Sequence, residues 1–323
     1  MIRRVAARAY ANIALVKYWG KIPGLKNTPA TPSISMTLKA LKTDTIIERI
    51  DSDKDKIFLN GIPADEHSTK RIITYLNLWR NNKLIKGKFS ISSANNFPTK
   101  AGLASSSSGF AALAVGLSGF ANRKINRPKL SRLARLGSGS AARSVPGGLA
   151  ALPLNADPAA KQLLPPDNIP WGMVVAVVEA DKKKIGSGKG MEICRKNSPY
   201  YKSWLKQAAA DYKNMLSAIR NLNFTKAGEI AEYNALAMHA CMIAARPSLI
   251  YWSPATFKII QFVRRWRDNG FETYATIDAG PHVIVFGKKE DLPKISRRLR
   301  QIEGVKSVIK SNAGDNAKII KCS

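Results

Sequence analysis

Cysteine is scarce in this chain of 323 residues, and its three cysteines stand far apart. Cys194, Cys241 and Cys322 have no CxxC spacing, and their odd number leaves one over from any pairing. This pattern argues against a disulfide framework and against a cysteine-ligated zinc site. We therefore expect reduced thiols and a cytoplasmic location.

Long hydrophobic runs are also lacking. The most apolar segments, such as residues 172–178, have the length of a strand, whereas a membrane-spanning helix needs about 20 apolar residues. Residues 1–8 are rich in arginine, but they contain no continuous apolar stretch and no small-residue cleavage site. We interpret them as part of the first strand rather than as a targeting peptide. The sequence predicts a soluble protein with no membrane partner.

Acidic residues are few: 22 of them face 52 lysines and arginines, which gives a formal net charge of +30. The cations are spread along the chain, with clusters at residues 182–184, 264–267 and 297–300. A solvated basic surface, attraction of small polyanionic substrates and nucleic-acid binding would each explain this charge. Nucleic acid is disfavoured, because no zinc-finger, RNP or basic-zipper pattern is present and aromatics do not interleave with the cations.

The alternation of apolar residues predicts an α+β protein with two lobes that share a cleft. We place the boundary so that residues 1–172 form the first lobe and residues 173–323 the second. Helices are expected at residues 65–79, 103–120, 128–136, 200–221, 225–244, 254–268 and 292–301. Strands are expected at residues 5–9, 33–38, 43–49, 88–92, 173–179, 273–277, 283–286 and 305–309, with a short hairpin at 57–62.

The segment 95–110 runs from a polar turn through Gly102 into a serine cluster and then into an apolar helix. Free backbone N–H groups and the positive end of a helix dipole favour an anion at such a point, and glycine allows close approach. The GxxxxGK[ST] spacing of a Walker A loop is absent. On its own the pattern fits a phosphate site or a plain helix N-cap.

Two further segments concentrate functional groups. Residues 10–21 hold Asn12, Lys17 and Lys21 among aromatics, and residues 276–282 place Asp278 directly before a Gly-Pro turn. Taken alone, the aspartate could be a turn former and the lysines could be surface residues.

Together these segments resemble the diphosphomevalonate decarboxylase family of the GHMP kinase superfamily, over nearly the whole chain and in the expected order. The matching motifs are Ala11-Asn12-Ile13-Ala14 with Lys17-Tyr18-Trp19-Gly20-Lys21, then Asn96-Phe97-Pro98-Thr99 with Ala101-Gly102-Leu103-Ala104-Ser105-Ser106, then Gly137-Ser138-Gly139-Ser140-Ala141 with Arg143, and finally Asp278-Ala279-Gly280-Pro281; a weaker match surrounds His239.

The resemblance implies a two-lobed GHMP kinase fold, with a ribosomal protein S5 domain 2-like N-lobe, a ferredoxin-like α/β C-lobe and the active site in the cleft between them. It also implies ATP-dependent decarboxylation of mevalonate 5-diphosphate to isopentenyl diphosphate, in the mevalonate pathway of isoprenoid biosynthesis. A homodimer is implied as well, because homodimers are common among relatives.

The resemblance assigns Asp278 to the 3-hydroxyl of the substrate, with Lys17 keeping it ionised and Arg143 binding the substrate carboxylate. It assigns substrate contacts to Tyr18, Lys21, Ser138, Gly139, Ser140, Ser187 and Lys189. The implied ATP-binding residues are Pro98, Lys100, Ala101, Gly102, Leu103, Ala104, Ser105, Ser106 and Ser107. Mg²⁺ would come with ATP and use the hydroxyl of Ser105 or Ser106, without a dedicated metal site.

The chain departs from the family pattern at Gly188, where relatives commonly have an arginine that binds the terminal phosphate. Lys189 could replace this arginine, or the pocket could suit a single phosphate. The alternatives are therefore a phosphomevalonate decarboxylase or a mevalonate 3-kinase-like enzyme. A homoserine-kinase-like enzyme would share the phosphate loop, but it would lack the combination of the 17–21 and 139–143 elements.

Overall fold

The computed structural model describes residues 2–97, 105–178 and 185–323. Its strands are β1 (Arg4–Val16), β2 (Ser33–Ile50), β3 (Lys56–Leu59), β4 (Ile62–Pro63), β5 (Lys88–Asn95), β6 (Leu149–Leu152), β7 (Lys161–Leu164), β8 (Trp171–Val178), β9 (Tyr274–Ile277), β10 (Val283–Lys288), β11 (Val305–Ser311) and β12 (Lys318–Cys322). Its α-helices are α1 (Glu66–Asn81), α2 (Ser105–Ser118), α3 (Arg127–Gly137), α4 (Ser187–Asn197), α5 (Tyr201–Arg220), α6 (Phe224–Ile243), α7 (Pro254–Asp268) and α8 (Leu292–Arg300). Short 3₁₀ segments cover Gly139–Ser144, Pro166–Asn168 and Lys289–Asp291.

The larger sheet has eight strands in the order β12-β1-β2-β5-β3-β4, and β6 and β7 extend it from the first part of β2. Its pairs are antiparallel except for β3 with β5. The last strand of the chain, β12, pairs with the first, so the C-terminus returns to the sheet of the first half.

A register shift in β1 between Tyr10 and Asn12 decides which way the site residues face. Before the shift, Val5 and Ala9 pack with α1, α2 and α3; after it, Ile13 and Leu15 pack in a second core against α5 and α6. Because successive side chains of a strand alternate between its faces, Asn12 then points away from this second core.

The smaller sheet has the antiparallel order β11-β8-β10-β9. All eight residues of its strand β8 are buried, because both faces are covered. Met173 and Val175 contribute to the core shared with β1, α5 and α6, whereas Val174 and Ala176 pack with α7 and α8. The continuous apolar run at 172–178 is therefore a two-sided core strand.

Helices α4, α5 and α6 enclose a further apolar cluster around Trp19, which follows β1. The Nε1 of Trp204 on α5 donates to the carbonyl oxygen of Trp19 at 2.7 Å. Gly228 lets α6 approach β9, since a Cβ there would lie 2.0 Å from the ring of Tyr274. These contacts fix α6 across the ends of β1 and β9, where the site lies.

The predicted α+β architecture is confirmed, and each of the seven predicted helices is present with similar bounds, except that residues 103 and 104, the predicted start of the second helix, lie outside the described residues. Two predicted strands, 33–38 and 43–49, are the two parts of one strand, β2. Helix α4 and the strands β6, β7 and β12 were not predicted. The division into lobes at residue 172 stays a prediction. Among the described residues, no helix has the length and apolarity that a membrane crossing requires.

Candidate active site

A buried ion pair joins the two halves of the chain. Lys17 directly follows β1 and Asp278 directly follows β9, and the lysine Nζ lies 2.7 Å from the aspartate Oδ1. The lysine side chain is 2% exposed and the aspartate side chain 28%, so the carboxylate keeps an open side. Burial lowers the pKa of Lys17, and the charge of Asp278 opposes this shift. The arrangement places the carboxylate of Asp278 beside the cleft, next to a buried cation.

Arg143 lies in the 3₁₀ segment Gly139–Ser144 and is 1% exposed. Its Nε donates to Ser35 at 2.9 Å, one terminal nitrogen donates to Ser33 at 2.5 Å, and the other donates to Asn12 at 3.3 Å. It makes no salt bridge with any described residue. Burial lowers the pKa of Arg143 to about 10, so the guanidinium is charged at neutral pH. A buried cation held by neutral oxygens is suited to an anionic ligand.

Serine hydroxyls line the region beside Arg143. The Oγ atoms of Ser106 and Ser138 are 3.3 Å apart, and those of Ser138 and Ser140 are 3.4 Å apart. Asn12 fixes this segment, because its Nδ2 donates to the carbonyl oxygen of Ser140 at 2.9 Å and to the hydroxyl of Ser144 at 2.7 Å. Ser106 of α2, Ser138 before the 3₁₀ segment and Ser140 within it thus form one polar surface.

A cavity of about 130 Å³ collects these groups. Asp278, Lys17 and Arg143 line it. Its remaining described lining residues are Asn12, Ala14, Tyr18, Trp19, Ser106, Ser140, Ser187, Met191, Met238 and Ala279. A small organic anion with a hydroxyl group fits this combination of one carboxylate and two cations.

A larger cavity of about 750 Å³ shares Tyr18, Ser106, Ser140, Ser187 and Met191 with the first and is strongly basic. Its cations are Lys21, Lys26, Arg71 and Lys189, and the described residues that line it include no aspartate or glutamate. Burial, followed by the charge of Arg71, lowers the pKa of Lys21. Cations that repel one another without an acid between them indicate a site for a multiply charged anion.

Close packing shapes the passage between the two cavities. The hydroxyl of Tyr18 donates to the carbonyl oxygen of Asn27 at 3.1 Å, and burial raises the pKa of this tyrosine, so it stays neutral. A Cβ at Gly139 would lie 2.2 Å from the same hydroxyl, so glycine is required there. Lys21 is oriented by a 2.7 Å hydrogen bond from its Nζ to Asn27 Oδ1.

Residues 9–160 of the chain match the diphosphomevalonate decarboxylase-like N-terminal domain, and residues 173–321 match the mevalonate 5-diphosphate decarboxylase C-terminal domain. The diphosphomevalonate decarboxylase of Candida albicans is 33% identical over 307 residues, which are 89% of this chain and 85% of that protein. The chain belongs to the diphosphomevalonate decarboxylase family.

Solved structures agree with this membership. The mevalonate diphosphate decarboxylase from Enterococcus faecalis is 34% identical, with a TM-score of 0.91 over 99% of this chain and 100% of that one. The complex of MDDEF with MVAPP, AMPPCP and magnesium is also 34% identical, with a TM-score of 0.93 over the same shares. The two-lobed GHMP kinase fold is therefore confirmed for this diphosphomevalonate decarboxylase family member.

The structure brings most of the predicted site residues together. Lys17, Arg143, Asp278, Tyr18, Ser140, Ser187 and Ser106 line the smaller cavity, and Lys21, Ser138, Gly139 and Lys189 line the larger one. Of the predicted ATP residues, Pro98, Lys100, Ala101, Gly102, Leu103 and Ala104 lie outside the described residues.

Two predicted ATP residues line neither cavity. Ser105 is the first described residue of α2, and its carbonyl oxygen accepts from Ser108. Ser107 is fully buried, and its Oγ accepts from the backbone N–H of Asn12 at 3.5 Å. The hydroxyl of Ser107 therefore faces β1, whereas that of Ser106 faces the cleft.

The departure at Gly188 has a structural consequence in this family member. Gly188 is the second residue of α4, and a Cβ there would lie 3.9 Å from Lys21 Nζ. The position at which the family resemblance implies an arginine is thus next to the ammonium of Lys21. Lys189 also lines this cavity, and its side chain is exposed.

Several groups at the site were missed by sequence reasoning. Arg71 lies in the middle of α1, where its 2.9 Å hydrogen bond to the carbonyl oxygen of Gly137 turns it to the cleft, and no local pattern marks it. Asn12 stands inside the recognised motif at residues 11–14, and this motif could have indicated a role for it at the site. Lys26, Asn27 and His67 complete the basic cavity from loops and from α1.

Proposed function

We propose that this protein catalyses the ATP-dependent decarboxylation of mevalonate 5-diphosphate to isopentenyl diphosphate, ADP, phosphate and CO₂. One observation carries the proposal: the Lys17–Asp278 pair and the buried guanidinium of Arg143 line one small cavity that adjoins a basic cavity. This combination matches a substrate with a tertiary hydroxyl, a carboxylate and a phosphorylated end.

Phosphorylation of the 3-hydroxyl is the first step. The open side of Asp278 accepts a hydrogen bond from this hydroxyl and takes its proton as the oxygen attacks the γ-phosphorus of ATP. A new O–P bond forms, the bond between the γ-phosphorus and the bridging oxygen breaks, and ADP leaves. Lys17 pairs with the carboxylate before the transfer, because its ammonium lies 2.7 Å away.

Elimination and decarboxylation follow. The C3–O bond breaks as phosphate leaves with its electron pair, and the electrons of the bond to the carboxylate form the new C=C bond as CO₂ departs. Arg143 orients the carboxylate through its planar guanidinium before this step. The serine hydroxyls at 138 and 140 offer further donors beside it.

The described residues fit ATP at the start of α2. Ser106 turns a hydroxyl to the cleft between the two cavities, and Ser105 precedes it on the same helix. Mg²⁺, when bound with ATP, neutralises charge on the phosphates, and the hydroxyl of Ser105 or Ser106 would contribute a ligand.

The larger cavity favours the diphosphate over the monophosphate. Four cations, Lys21, Lys26, Arg71 and Lys189, line it. A diphosphate carries more charge than a monophosphate and can contact more of these cations. We propose that Lys189, together with Lys21, takes the place of the arginine that is missing at Gly188.

The experiment supplies the purified protein with Mg-ATP and mevalonate, mevalonate 5-phosphate or mevalonate 5-diphosphate, and measures ADP and CO₂ separately. Equal amounts of ADP and CO₂ from the diphosphate are expected. Preference for the monophosphate, or ADP without CO₂, would support the alternatives that Gly188 raises, a phosphomevalonate decarboxylase or a 3-kinase. No turnover of any of the three would overturn the proposal.

We also propose a homodimer that acts in the cytoplasm. The resemblance to the family supports the dimer, and the free thiols of Cys194, Cys241 and Cys322 fit a reducing compartment. Light scattering on the purified protein should give about 71 kDa, twice the chain mass of 35.3 kDa. Fractionation of the producing cells should place the protein with cytoplasmic markers.

A further inference from the structure

Helix α6 contacts the backbone of both members of the Lys17–Asp278 pair through two buried side chains. Lys17 comes directly after the end of β1, and Asp278 comes directly after the end of β9. Backbone groups just beyond a strand lose their ladder partners, and buried N–H and C=O groups need replacements. Asn234 and His239 on α6 supply them.

The contact with Lys17 is made by Asn234. Its Oδ1 accepts from the backbone N–H of Lys17 at 2.8 Å, and its Nδ2 donates to Asp211 Oδ2 on α5 at 2.8 Å. Asn234 is fully buried, and both ends of its amide are used. The amide is therefore held in one orientation, with its oxygen toward Lys17.

The contact with Asp278 is made by His239, whose Nε2 lies 3.2 Å from the carbonyl oxygen of Asp278. A carbonyl oxygen only accepts, so Nε2 carries the proton and donates it. His239 is 1% exposed, and its ring lies against Trp252 with centroids 4.9 Å apart. The contact therefore requires the tautomer with the proton on Nε2, and Trp252 packs against the ring.

We propose that Asn234 and His239 are positioning residues that set the distance and angle of the Lys17–Asp278 pair. Neither side chain needs to touch the reacting atoms. Helix α6 packs on both β1 and β9, so it fixes the positions of these two strand ends relative to each other, although they come from opposite parts of the chain. This inference rests on the proposed function, in which the pair acts on the 3-hydroxyl.

The geometry makes His239 the sharper test. His239→Leu removes the donor and keeps an apolar side chain, whereas His239→Gln offers an amide N–H in place of Nε2–H. A misplacement of about 1 Å can cost roughly 100-fold in rate. We expect kcat to fall about 10- to 100-fold in the leucine variant and to recover within about 5-fold of the wild type in the glutamine variant.

The KM for mevalonate 5-diphosphate separates positioning from general damage. The diphosphate end binds in the larger cavity, which α6 does not line, so KM should change less than about 3-fold in His239→Leu. Met242→Ala is the matched control: Met242 is fully buried on α6 but belongs to the apolar cluster around Trp19. It should lower the melting temperature and leave kcat near the wild-type value.

A second readout needs no activity. The carbonyl oxygen of Asp278 also accepts from the N–H of Gly280 at 2.7 Å, so loss of the histidine should loosen this turn. Amide exchange measured by mass spectrometry on residues 274–286 of the free protein should speed up several-fold in His239→Leu and not in Met242→Ala. If the wild type releases no CO₂, the proposed function fails, and this exchange result still decides the inference.

The positioning role is overturned by either of two results: unchanged kcat and exchange in His239→Leu, or glutamine and leucine variants that are equally impaired. Asn234→Leu gives an independent check at the other end of the pair. It should lower kcat without a matching rise in KM, and equal losses in kcat for Asn234→Leu and Met242→Ala would contradict the assignment.

Discussion

Asp278 keeps an open side while it is ion-paired. Its side chain is 28% exposed although its partner Lys17 is 2% exposed, so the carboxylate can reach a ligand without giving up the salt bridge. The lysine is enclosed instead. Among the described residues, its only salt bridge is the one to Asp278. This asymmetry supports Asp278, rather than Lys17, as the group that meets the 3-hydroxyl.

Replacement of Asp278 by asparagine therefore tests the base directly. The variant keeps the size of the side chain and one oxygen that can accept from Lys17, but it cannot take a proton, so kcat should fall at least roughly 1,000-fold. ATP affinity, measured by fluorescence titration with a nucleotide analogue, should stay within a few-fold of the wild type. Turnover near the wild-type level in Asp278→Asn would remove the aspartate from this role.

His239 makes the protein sensitive to acid. Burial lowers the pKa of His239 to about 3, with a further decrease from the charge of Lys17, while the carbonyl oxygens of Asp278 and Ile277 oppose the shift. The unfolded chain has an ordinary histidine pKa near 6.5. Between these values the unfolded state binds the additional proton, so the free energy of unfolding falls as the pH falls.

The free energy of unfolding that His239 takes away as the pH falls begins to be lost near pH 6.5, and the loss continues to about pH 3. At pH 4 it reaches roughly 3 kcal/mol. His239→Gln cannot take up the proton, so its free energy of unfolding should depend less on pH across this window. Urea titrations of the wild type and of His239→Gln at pH 7 and pH 4 measure the difference. An equal change in the free energy of unfolding between the two pH values in both proteins would contradict the lowered pKa of His239.

At the scale of elements, close packing at Gly228 fixes α6 against β9. A Cβ there would lie 2.0 Å from the ring of Tyr274, which is itself buried. Gly228→Ala should therefore push α6 away from the sheet and cost about 1–3 kcal/mol of unfolding free energy. Because α6 carries Asn234 and His239, kcat should fall as well.

A second helical glycine provides the control for this substitution. A Cβ at Gly109 on α2 meets no atom within 4 Å, so Gly109→Ala should raise stability by about 0.5–1 kcal/mol through helix propensity. Thermal melts of the two variants should move in opposite directions. A shift of the same sign in both would show that the contact with Tyr274 does not decide the outcome.

Sequence patterns predicted the elements that have strong periodicity or clear ends. Helix α7 starts with a capping box in which Ser253 and Thr256 exchange hydrogen bonds, and its bounds match the prediction. Helix α4 was missed because its first turn is Ser-Gly-Lys-Gly, which is poor in helix formers. Strand β12 was missed because all five of its residues are exposed, so no alternation marks it.

The residues of the candidate site also fall into those that the sequence predicts and those that only the fold reveals. Lys17, Arg143 and Asp278 stand in recognisable motifs, so the sequence alone brought them together. Arg71 lies on a helix without a motif, and only the fold turns it into the basic cavity. His239 stands in a weak motif, but its contact with Asp278 depends on how α6 crosses the strand ends, which periodicity does not reveal.

At the scale of the whole molecule, the net charge of +30 adds long-range attraction to the local cations of the cavity. The attraction by the net charge acts over a longer distance than the contacts made by the cavity cations. At about 0.15 M salt the Debye length is about 8 Å, so distant surface charges are screened, whereas cations that line the binding cavity still contact the ligand. Helix α8 provides the distant set, because Arg297 and Arg300 are exposed and line neither cavity.

Salt dependence should therefore separate steering from binding. For the wild type, kcat/KM for mevalonate 5-diphosphate should fall roughly 10-fold between 0.02 M and 0.3 M KCl. The double variant Arg297→Glu and Arg300→Glu should reduce kcat/KM about 2-fold at the low salt concentration and not measurably at 0.15 M.

Arg71→Gln should raise KM about 10-fold or more at both concentrations, because it removes a cation from the cavity itself. An equal loss in the α8 and Arg71 variants at 0.15 M would mean that the general positive field, and not the lining of the cavity, selects the substrate.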